Sequence, residues 1–172
     1  MRMHNKNNKL EDFKYTFDNI NVWINNVDNK ISILLVFLVA IIGYTFSINK
    51  KININNIQTF IIMISIVLLV CGCLLCIFAL KGRIKSKINY TSILFFGSIS
   101  KMDRKEYYDT ISKMDEKQLV NDIKNQIYIN SCICSKKFKL YNFALDCLII
   151  SIFLISLVHI ISIFWFGGSK ND

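Results

Sequence analysis

Proline is absent from the 172 residues and glycine occurs only six times. Without proline nothing in the chain kinks or breaks a helix by ring geometry. So few turn-forming residues also argue against a turn-rich β fold. Histidine is scarcer still, at His4 and His159 alone. With it go the Ser–His–acid set and the zinc-protease helix, and no glycine-rich phosphate loop replaces them. An enzyme is not expected. Acids are outnumbered, 12 against 21 Lys and Arg, which leaves a net charge of +9. A nucleic-acid binder shows the same balance, but membrane topology and attraction to anionic headgroups account for it more simply. No nucleic-acid partner is expected.

What the chain has in abundance is apolar surface: 53% of its residues are hydrophobic and mean hydropathy is +0.39. Three apolar runs stand out, at 31–48, 57–80 and 143–166. A bilayer core of ~30 Å needs about 20 helical residues, with a range of about 17–25. All three runs qualify, the first at the short end. That first run follows a polar head with four acids, and no small-x-small site succeeds it. It is therefore expected to stay as an anchor rather than be cleaved. The fold class expected is an all-α membrane protein, its three transmembrane helices continued into a small cytoplasmic helical bundle.

Orientation follows from the basic residues. Five Lys and Arg precede Ile31 and thirteen lie in 81–142, whereas the 49–56 loop has two and the tail after Phe166 one. Eighteen against three places the head (1–30) and the 81–142 segment in the cytoplasm, with the loop and the 167–172 tail outside.

In the head, Leu10, Phe13, Phe17, Ile20, Ile24 and Val27 recur at alternating steps of three and four, and Ile31 carries the pattern into the first span. Such a narrow stripe predicts a packed helix from about Lys9, with Trp23 near headgroup level. The alternative is an amphipathic helix lying flat on the bilayer. After the second span, "KGRIKSK" is a basic collar. In "INYTSILFFGSIS", Gly97 marks a helix end or a close backbone approach. Asp103 with Glu106, and Asp115 with Gln118, read as capping boxes. From there Leu119, Ile123, Gln126/Ile127, Asn130, Cys134, Phe138, Tyr141 and Leu145 hold one face. They predict a helix of around 50 residues, on the order of 75 Å long, running without a break through the third span.

The six cysteines form no metal site on this reading. Cys71 and Cys73 point about 200° apart on a helix, and a cytoplasm-facing arrangement disfavours disulfides. Small residues at helical spacing occupy each span: Ala40, Gly43 and Ser47; Ser65, Gly72, Cys76 and Ala79; Ala144, Cys147, Ser151, Val158 and Ser162. Gly43, Gly72, Cys76 and Ser151 are the expected packing positions, within one copy or between copies of a homo-oligomer. Asp146, one turn inside the third span, is expected to snorkel or to pair with the nearby "KKFK". His159, 13 residues on, is too far along the helix to join it.

Three stretches in order, "NVDNKISILL", "ILFFGSISKMDRKEYYDTI" and "LVNDIKNQIYINSCICSKKFKLYNFAL", resemble the membrane effector family of bacterial Pycsar antiphage systems over nearly the whole chain. Asp28, Lys30, Gly97, Tyr107, Asp122, Gln126 and Lys137 carry the match. The resemblance implies an effector that catalyses nothing itself. A partner cyclase senses phage and makes a cyclic nucleotide, a pyrimidine mononucleotide in Pycsar, and the effector impairs the inner membrane. For such a ligand, Lys and Arg suit a phosphodiester and aromatic faces suit a base. Phe96, Arg104, Tyr107, Tyr108 and Lys137 supply both. No cofactor is implied beyond that signalling ligand. The alternative is a non-signalling scaffold or accessory subunit that anchors a cytoplasmic partner, and a constitutive channel is the weaker third reading. Spans so poor in polar residues make a permanent pore hard to build from one copy.

Overall fold

The computed structural model describes residues 2–49, 56–81 and 92–167, with side chains over 9–47, 56–81 and 92–163. The basic collar, the 49–56 loop, the tail and His4 fall, except at their edges, outside the described side chains. Five helices make up the architecture: α1 (Arg2–Asn49), α2 (Asn56–Leu80), α3 (Phe96–Ile99), α4 (Arg104–Lys113) and α5 (Glu116–Gly167). Among the described residues there is no strand. With no proline to interrupt them, α1 and α5 reach 48 and 52 residues. The single long helix expected at the C-terminal end is thus present. Three helices are long and apolar enough to cross a membrane: α1, α2 and α5.

Both expected capping boxes form. At the start of α4, Asp103 and Glu106 exchange side-chain and backbone hydrogen bonds across the first turn. At the start of α5, the Asp115 carboxylate accepts from the Gln118 N–H at 2.7 Å, and the Gln118 side-chain carbonyl accepts from the Asp115 N–H at 3.0 Å. Each box satisfies two of the N–H groups that a helix start leaves without an internal partner.

The chain divides into two compact units. Unit 2 comprises residues 27–80 and 137–172, hence the second part of α1, all of α2 and the rest of α5. Its buried positions keep a seven-residue rhythm on each helix: Val27, Ile31, Leu34, Leu38 and Thr45 on α1; Gln58, Ile62, Ser65, Leu69, Gly72, Cys76 and Ala79 on α2; Ala144, Leu148, Ser151, Ile155, Val158 and Ser162 on α5. Alternating steps of four and three define a seam for helix–helix packing rather than a broad apolar face. Close approach falls where the sequence has no side chain. A Cβ at Gly72 would stand 3.1 Å from Leu38 Cδ2 and 3.5 Å from the Ala144 carbonyl oxygen. Gly43 differs: a Cβ there would meet nothing within 4 Å, so within this copy it is not a packing glycine. Buried hydroxyls donate back to carbonyls one turn earlier, Thr45 to Ile41 and Ser162 to Val158. Ser151 Oγ lies 2.7 Å from the Cys147 carbonyl and 3.2 Å from the Ser65 carbonyl on α2, close enough to donate to either. The outward faces of the spans carry Val36, Phe37, Phe60, Phe78, Phe153 and Ile163, all exposed. Lipid tails accept such surfaces without cost.

Unit 1 comprises residues 1–26 and 81–136: the first part of α1, then α3, α4 and the first part of α5. The predicted stripe Leu10, Phe13, Phe17, Ile20 and Ile24 is half-buried here, as is Leu119 on α5, while Ile123 is buried. Asn130 donates to Asn21 at 2.9 Å, joining α5 to α1, and the Lys124 ammonium sits 4.8 Å from the Phe13 ring centre.

Candidate functional site

The nine residues singled out for ligand contact fall in three places. Asp28, Lys30 and Lys137 belong to unit 2, at the start of its two stretches of chain. Lys137 Nζ and Asp28 Oδ1 form a close ion pair between α5 and α1. The Lys137 side chain is 15% exposed and that of Asp28 31%, so the pair is shielded from bulk water more than a surface bridge and less than a core one. Lys30 is itself exposed, its ammonium 6.0 Å from the centre of the Phe138 ring. Two ammonium groups, one carboxylate and one aromatic face therefore gather within adjoining turns of α1 and α5.

Asp122, Gln126, Gly97 and Phe96 belong to unit 1. Asp122 has no exposed surface. Its Oδ2 accepts the backbone N–H of Ile93 at 2.9 Å, tying the turn before α3 to α5. Its Oδ1 is buried with no hydrogen-bond partner among the described residues. Gln126, one turn further along the same face, is 5% exposed. Gly97 is the second residue of α3 and is buried. It therefore lies within a helix rather than ending one. Phe96 projects outward, 64% exposed, with the Phe95 ring centre 5.0 Å away.

Arg104 and Tyr107 lie on α4. The Arg104 guanidinium is 5.7 Å from the Tyr108 ring centre. Tyr108 is exposed and Tyr107 half-buried, as consecutive residues on a helix must point apart. Sequence reasoning did not single out Phe138 as the partner of Lys30, nor Ile93 as the partner of Asp122. Phe138 carried a usable signal, since it lies on the same stripe of α5 as Lys137's flanking turn. Ile93 carried none, because its contribution is a backbone N–H. Among the described residues no group of His, Cys, Asp and Glu is placed to hold a metal ion.

These features define a membrane protein that is helical throughout its described elements, with three helices long and apolar enough to cross a bilayer. The chain belongs to the Pycsar effector family: the family model described as PycTM, Pycsar effector protein domain, matches residues 12–164. It is similar to the Pycsar effector protein GmPycTM of Gulbenkiania mobilis, with 31% identity over 169 residues, covering 82% of this chain and 86% of that one. No solved structure matches the chain.

Proposed function

We propose that this protein is the membrane-impairing arm of an antiphage defence system and responds to a cyclic nucleotide made by a partner cyclase. The observation that carries this reading is the family match, which runs from residue 12 to residue 164 and so takes in both units and all three spans. A chain with spans but no matching second unit would favour an anchor. Here unit 1 has the polar and aromatic groups a nucleotide needs, and unit 2 has the bilayer-crossing helices on which a response would act. The effector itself catalyses no reaction. The distribution of basic residues orients unit 1 toward the cytoplasm, where a cyclase product accumulates, with the spans in the inner membrane. Copies of the chain assemble in the membrane, and lipid is their second partner.

Co-expression tests the reading. Cells carrying this protein together with a pyrimidine nucleotide cyclase should lose membrane potential, measured with a voltage-sensitive dye, and cells carrying either alone should keep it. Depolarisation that ignores the cyclase would contradict control by a cyclic nucleotide.

A further inference from the structure

The interior of unit 1 is built of unusual material. Among the described residues its buried positions are Ser92, Gly97, Ser98, Asp122, Ile123 and Gln126, and of these only Ile123 is a large apolar side chain. Polar groups taken out of water are costly unless they are paired. Asp122 is the extreme case. It is wholly buried, one oxygen holds the Ile93 N–H, and the other has no partner among the described residues. Native structures keep very few such groups, and each calls for a reason.

The chemistry of the two side chains is restrictive. An ionised carboxylate only accepts hydrogen bonds, while a glutamine amide both donates and accepts. Asp122 and Gln126 stand four residues apart on one helical face. Together they offer an acceptor beside a donor–acceptor pair, which complements the edge of a nucleobase that carries an exocyclic amine. A carboxylate accepts from the cytosine amine in this way. The corresponding edge of uracil sets two carbonyl oxygens around one N–H, so a carbonyl stands where cytosine offers its amine and gives Asp122 Oδ1 nothing to accept there.

We propose that Asp122 and Gln126 read the base of the signalling nucleotide, with Asp122 Oδ1 accepting its exocyclic amine beneath a flap formed by residues 92–99. This rests on the reading of the chain as a cyclic-nucleotide effector and adds to it a base preference, cytosine over uracil. The flap consists of a turn and the four residues of α3, tied to α5 by the Ile93 N–H. Opening exposes Asp122, and reclosure over the base satisfies both carboxylate oxygens, one by Ile93 and one by the amine. Ligand therefore holds the flap more firmly than it is held without ligand.

The test uses the full chain in detergent with 3′,5′-cyclic CMP, UMP, AMP and GMP. Calorimetry should give cyclic CMP an affinity at least about tenfold above cyclic UMP, as expected for one buried hydrogen bond gained. Asp122→Asn keeps an acceptor for Ile93 but turns the free acceptor into a donor. In that variant the preference should shrink about tenfold or reverse, with amide exchange at Ile93 in the unliganded protein unchanged. In the wild-type protein, saturating cyclic CMP should slow exchange across 92–99, a readout that needs no variant. An unaltered ranking in the Asn variant overturns the proposal, as does exchange at 92–99 that ignores bound ligand. If cyclic nucleotides trigger leakage from liposomes but show neither effect, the effector reading stands and this site falls. If none binds and none triggers leakage, both fall.

Discussion

Two glycines in neighbouring spans, alike in the sequence, stand in opposite surroundings. Gly72 faces Leu38 at a distance that leaves no room for a larger side chain, and Gly43 faces open space on the outside of unit 2. Gly72→Leu should therefore overpack the seam and destabilise the folded protein by roughly 1–3 kcal/mol, whereas Gly43→Leu should be neutral or stabilising by up to about 1 kcal/mol through helix propensity. Thermal unfolding in detergent, followed by circular dichroism, measures both. Equal losses in the two variants would contradict the placement of Gly72 in the seam. At this scale the sequence showed which residue types matter and left open what each one meets. Lys137 and Asp28 are 109 residues apart, and nothing local says that they pair. The Asp122 carboxylate is equally silent, since its Oδ2 accepts a main-chain N–H from a turn 29 residues away.

Helices were the most legible part, because their signals are local. The capping boxes at Asp103 and Asp115 formed as their spacing predicts, each closing within four residues. The alternating steps of three and four along the head became the half-buried side of α1 and continue as the buried positions of unit 2. Gly97 was harder to read: a glycine after two phenylalanines suits a helix end or a close approach equally, and the structure places it inside α3. The weight of a cap can be measured. Asp103→Ala should cost α4 about 1 kcal/mol. Amide exchange within Arg104–Lys113 should then quicken about fivefold, while α5, which has its own cap at Asp115, keeps its rates. Unchanged exchange in α4 would mean that packing, and not the cap, holds its first turn.

Across the whole molecule, the three apolar runs sufficed to predict three helices long and apolar enough to cross a membrane. The division of labour was visible only once burial was known. Unit 2 buries mostly apolar and small residues in regular seams, with Gln58 among them, and the described buried residues of unit 1 include two serines, a carboxylate and an amide beside Ile123. A bundle held by apolar seams suits a lipid-facing response, and a polar interior suits recognition of a polar ligand. The most direct test is leakage of a trapped dye from liposomes that hold the purified protein, with cyclic mono- and dinucleotides added on the side where unit 1 is exposed. The account predicts intact vesicles without ligand and rapid leakage with one cyclic nucleotide of the panel. Vesicles that stay tight under every nucleotide, with the protein shown to be inserted, would contradict it and leave the scaffold as the better description.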